Sequence, residues 1–153
     1  MDVQQDNPFQ TPQADLQPAS TGTSVQPLYR IAAIGVGTFL GTPLAGAWML
    51  AHNLQLLGKA DRVAMVWGFA VALFALTIAS GFVLPEEVPA MPFAIAQLVG
   101  MVMLAKHLTE ADIQHHEQAG GAFLSNWRAA GIAILFSIGV MALIFAVLMI
   151  TGF

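Results

Sequence analysis

"GVGTFLGTPLAG", residues Gly35 to Gly46, admits two readings, and the choice between them sets the fold. Gly35-x-Gly37-x-x-x-Gly41 is close in spacing to the glycine-rich turn that cradles a dinucleotide phosphate. That turn sits between a buried strand and a helix, with a carboxylate about 20 residues on. Here the preceding Leu28-Tyr29-Arg30-Ile31-Ala32-Ala33-Ile34 is too short and too polar-led for a buried strand. The glycines stand instead inside an apolar block of membrane-span length, with small residues spaced by four at Ala33, Gly37, Gly41 and Ala45. Thr38, Thr42 and Gly46 form the neighbouring row. Such rows let two helix backbones approach closely in lipid. Pro43 removes one backbone hydrogen bond, to the Phe39 carbonyl, which predicts a kink within a single helix. Neighbouring helices or the Thr38 and Thr42 hydroxyls are expected to satisfy the freed groups. The stretch therefore reads as a helix-packing face, with a hinge or a pore lining as its second use.

The rest of the chain has the same apolar character. Of its 153 residues, 57% are hydrophobic and 9% charged, against roughly 25% charged in a soluble domain. The mean hydropathy is +0.71. A membrane-crossing helix needs about 20 predominantly apolar residues. Four blocks qualify: Ile31–Ala51, Val63–Val83, Ala90–Leu108 and Gly131–Ile150. The expected fold is all-α, an antiparallel bundle of four transmembrane helices over residues 28–153, preceded by a polar tail over 1–27 that is disordered or extended. The tail has neither a basic start nor an apolar core, so the first span is expected to act as an uncleaved insertion signal. Cysteine is absent, which excludes disulfides and thiolate metal sites. The net charge is −4 and no basic patch accompanies it, so a nucleic-acid partner is not expected.

Four spans put the two termini and the second loop on one side. Arg30 is the only basic residue there, against Lys59, Arg62, Lys106 and Arg128 opposite. The positive-inside rule then places loops one and three in the cytoplasm and both termini outside. Trp48, Trp67 and Trp127 fall toward the basic side, while Tyr29, Phe82, Phe93 and Phe153 supply aromatics at the other.

Within the tail, Asn7-Pro8-Phe9-Gln10-Thr11-Pro12-Gln13-Ala14-Asp15-Leu16 resembles the Asn-Pro-(Phe/Tyr)-x-x-Pro-x-Ala-(Asp/Glu)-Leu start of many small inner-membrane proteins of Gram-negative bacteria. The likeness extends loosely to Gly37–Gly46 and to "GGAFLSNWRAAGI" before the last span. It implies a bacterial inner membrane and says nothing of activity. The chain also repeats itself faintly. "MLAHNL" at Met49–Leu54 recurs as "MLAKHL" at Met103–Leu108, and Ser80-Gly81-Phe82 is matched by Thr151-Gly152-Phe153. A duplicated helical hairpin accounts for both pairs.

Chemistry-bearing residues are few. The blocks carry no ionisable group at bilayer depth, where such residues mark proton relays and transport paths. The polar residues there are Thr38, Thr42, Thr77, Gln97 and Ser137, and Gln97 is expected to bond across to another helix. "KHLTEADIQHHEQAGG" reads first as a solvated amphipathic connector; His107, Asp112, His115 and His116 are the residues from which a metal site would be built, although no strict ligand signature is present. Thr109-x-x-Asp112 reads as a variant helix cap and Gly120-Gly121 as a helix stop. Trp127 and Arg128 read as an interfacial anchor for the last span, capped by Ser125 or Asn126, with an acidic lipid headgroup as a second use. His52-Asn53 reads as an interfacial helix end. No catalytic residue and no cofactor is expected. The partners expected are the lipid bilayer and either a membrane protein or further copies of the chain. The function read from this is that of a non-enzymatic accessory subunit, assembly factor or regulator, with a small oligomeric channel or transporter as the alternative.

Overall fold

A computed structural model describes residues 26–83, 85 and 87–152. The tail motif Asn7–Leu16, Glu86 and Phe153 lie outside these residues. The described chain forms five α-helices: α1 Ile31–Gly41, α2 Pro43–Leu56, α3 Val63–Val83 after a short 3-10 turn at Ala60–Arg62, α4 Met91–Gln118 and α5 Asn126–Thr151. Three of them, α3, α4 and α5, are long and apolar enough to cross a membrane.

The first expected span is not one kinked helix. Residues 31–51 are divided between α1 and α2, which fold back on one another about Thr42. The pairing is antiparallel throughout. A Cβ at Gly46 would strike the Thr38 hydroxyl and approach the Ile34 carbonyl at 3.4 Å. A Cβ at Gly37 would lie 2.8 Å from the Met49 methyl and 3.8 Å from the Ala45 carbonyl carbon. At the open end, Asn53 meets Tyr29. Two local preferences explain the reversal. A residue before proline is pushed out of the helical region, and Thr42 leaves it for a positive φ of 83° with ψ 162°. Proline itself suits the first position of a helix, where its missing N–H is not needed, and Pro43 opens α2 there.

The hairpin is the hub of the molecule. α1 lies against α2, α4 and α5, and α2 lies against α3 with smaller contacts on α4 and α5. Among the described residues α3 and α4 touch only briefly, and α5 touches neither. The glycines of α1 fit this crowded position, because each opens a different face. Gly35 faces Val102 and Leu98 of α4, Gly37 faces α2, and Gly41 faces α5, where a Cβ would lie 2.5 Å from the Ala133 Cα and 2.6 Å from its oxygen. Ala33, Ala45, Ala129 and Ala133 are fully buried along with them. The small-residue row is thus split between two helices, and its contacts are made inside the chain.

Two further expectations change. Thr109 starts no helix: α4 runs unbroken past it, and its buried hydroxyl donates to the Ala105 carbonyl at 2.8 Å. The two halves of the supposed duplication are unlike, since α2 has 14 residues where α4 has 28, and α1 has no counterpart. Gly120 does end α4, at φ +72°, and the Gly121 N–H returns to the His116 carbonyl at 2.8 Å.

Gly41→Ala should lower the unfolding free energy in detergent by about 1–3 kcal/mol, because backbone on both sides must separate. Gly37→Ala should cost less than about 1 kcal/mol, since only the flexible end of Met49 need move. The reverse ranking would contradict the packing of α1 against α5.

Candidate functional site

Two places in the hairpin concentrate the polar groups: its tip and its open end. The tip is Thr42, a β-branched residue at φ 83°, ψ 162°, a region otherwise almost confined to glycine. Its carbonyl accepts the first bonds of α2, from Ala45 N–H at 3.1 Å and Gly46 N–H at 3.5 Å. Its hydroxyl oxygen is buried and has no partner. Ser137 of α5 donates to the Leu40 carbonyl at 2.6 Å, satisfying one group left over at the end of α1. Ser137 lies nine residues beyond Arg128, so the tip reaches roughly 14 Å into α5 at 1.5 Å per residue. Against a hydrocarbon core of about 30 Å, that is close to mid-depth.

At the open end, buried Asn53 pairs with the backbone of Tyr29: the Tyr29 N–H donates to Oδ1 at 2.8 Å, and Nδ2 donates to the Tyr29 carbonyl at 2.7 Å. The segment before α1 also lies beside the segment before α5. Leu28 N–H donates to the Ala122 carbonyl at 3.3 Å, and Leu124 N–H to the Leu28 carbonyl at 2.9 Å. Arg30 bonds Glu117 at 2.7 Å and stacks over the Phe123 ring with its guanidinium carbon 4.1 Å from the centroid. Lys59 donates to Asp112 at 2.6 Å and to the Leu108 carbonyl at 3.0 Å, tying the α2–α3 turn to α4.

This arrangement distributes the expected metal ligands. Asp112 is neutralised by Lys59, and His116 is turned inward to the Ala122 carbonyl at 2.8 Å and packed edge-on against Phe123. His107 and His115 are exposed. Among the described residues no three His, Asp or Glu side chains converge as a metal site would require. Gln97 does bond across helices, donating to the Thr77 hydroxyl of α3. Trp127 and Arg128 stand exposed at the head of α5, where Ser125 accepts from the Trp127 N–H at 3.2 Å. Sequence reasoning missed the Tyr29–Asn53 pair and the ion pairs of Arg30 and Lys59. The signal available was Arg30, the one basic residue assigned to the wrong end.

No protein-family model, no curated protein and no solved structure matches the chain.

Asn53→Ala should leave the Tyr29 N–H and carbonyl buried without partners, at about 1–3 kcal/mol for each group. Arg30→Ala breaks an ion pair whose side chains are 48% and 54% exposed, and such a pair contributes about 1 kcal/mol or less. Denaturant unfolding in detergent should rank Asn53→Ala well below Arg30→Ala. Equal losses would contradict a hairpin closed by Asn53.

Proposed function

We infer that the chain is a non-enzymatic integral membrane protein that acts through helix–helix contacts in a bacterial inner membrane, as an accessory subunit, assembly factor or regulator. The observation that carries this reading is the uneven packing of α5. Its first half lies against the hairpin, with Ala129 and Ala133 buried. From Met141 to Thr151 every residue is exposed. A span anchored on one half of its length presents the other half to a neighbouring helix. The use made of the polar side chains supports the same reading. Asn53, Lys59, His116 and Ser137 are each engaged in bonds that join separate segments of the fold, and Thr38 bonds within its own helix.

The hairpin also supports an orientation. Arg30, Lys59, Arg62, Lys106 and Arg128, all five basic residues of the chain, stand toward the hairpin's open end. The positive-inside rule assigns that end to the cytoplasm. The N-terminal tail is then cytoplasmic and the end of α5 periplasmic, in place of two periplasmic termini. The alternative, a small oligomeric channel or transporter, draws support from the tip. Broken helices at mid-membrane form the binding sites of many transporters, and the Thr42 hydroxyl is unpartnered there.

A photo-crosslinking residue in place of Leu143, which is 64% exposed, should give a discrete protein adduct in native membranes. Adducts to lipid alone would overturn the helix-contact reading. Selective ion or solute flux from the purified protein in liposomes would replace it with the channel reading.

A further inference from the structure

We propose that a cleft between α2 and α3 at the basic end binds the phosphate-bearing headgroup of one phospholipid. Trp48, Ala51, His52 and Gln55 line it from one face of α2, and Trp67 closes it from α3. Two indole N–H groups, an imidazole and a carboxamide therefore meet in one recess, and no carboxylate lines it. Indole can only donate, and imidazole and carboxamide each offer a donor as well. The side-chain hydrogen bonds of the described residues engage none of these four. Unengaged donors gathered in a recess with no acid in its lining select an acceptor-rich, anionic group.

The recess is built, unlike a bare interfacial anchor. Tyr29 is fully buried and sets its ring edge against Trp48 at 6.1 Å and His52 at 5.4 Å. Trp48 and His52 lie nearly parallel, 16° apart. Tyr29 is fixed in turn by its two backbone bonds to Asn53, so closure of the hairpin orients the rings. Trp127 offers the contrast: it is 87% exposed at the head of α5, as an anchor requires. Depth also fits. From Gln55, near the end of α2, to Trp48 the helix descends roughly 10 Å. That spans the headgroup layer and the top of the hydrocarbon, so the donors lie where a phosphate and the ester carbonyls below it are found.

The test uses the full chain purified in detergent, with phosphatidylglycerol micelles as the probe and native mass spectrometry counting retained lipid. The wild type should retain one phosphatidylglycerol per chain. Gln55→Leu combined with Trp67→Phe removes two donors while keeping apolar bulk, and should weaken retention roughly tenfold or more. Trp67 packs against the core, so the unfolding midpoint in lipid-free detergent should fall modestly while the double variant stays folded, and Trp127→Phe should bind as the wild type does. Undiminished retention by the double variant would overturn the proposal, as would an equal loss in Trp127→Phe. Inorganic phosphate or glycerol phosphate binding as tightly as the lipid would also overturn it, by showing a site for the free anion.

Discussion

Two hydrogen bonds between the Asn53 carboxamide and the backbone of Tyr29 close the α1–α2 hairpin, and the positions of the other helices depend on that closure. An extended segment entering a membrane-embedded fold has an N–H and a carbonyl that no helix satisfies. A carboxamide supplies one acceptor and one donor in the geometry of a backbone partner. Asn53 thereby pins the start of α1 beside the end of α2, both at the basic end. Arg30 and Lys59 reinforce the same end by reaching α4, and the Leu28–Phe123 strand contact brings in the head of α5. All three helices long enough to cross a membrane are tied at one end to the hairpin.

Close packing explains the composition of the hairpin. A short helix packed against three others has little room for side chains where it meets them, and Gly35, Gly37 and Gly41 open those three faces in turn, while Phe39 and Leu40 stand exposed. Without a hydrophobic drive between helices in lipid, such backbone approach and a few polar bonds must supply the association. The Ser137–Leu40 and Gln97–Thr77 bonds are of this kind. Beyond the tip the hub is missing, and there α5 stands apart from α3 and α4.

The apolar blocks over α3, α4 and α5 were legible because span length and lack of charge are strong, local signals. The small-residue face in Ala33–Ala45 was legible too, but its partner was not: spacing by four shows that a backbone approaches, without saying which. Residues 31–51 misled because an apolar block of that length satisfies the requirement for a crossing whether or not it turns back. Thr42-Pro43 after Gly41 holds the local evidence for a break, but proline inside an apolar block ordinarily bends a continuing helix, so sequence alone favours a kink. Arg30 held the global evidence. As a lone cation on the supposed outer side it was an exception, and folding the block back on itself removes that exception. In the histidine segment, sequence proximity does not reveal that Lys59 and the Ala122 carbonyl take two of its members.

The return of the chain at Thr42 is the central claim, and the lack of native cysteine makes it directly measurable. Single cysteines at Pro27, Ala60 and Val88, all exposed, can be labelled in oriented membrane vesicles with a maleimide that does not cross lipid. The hairpin predicts that positions 27 and 60 react from the same side and position 88 from the other. Labelling of position 27 together with 88, and opposite to 60, would show that residues 31–51 cross the membrane once and would contradict the account.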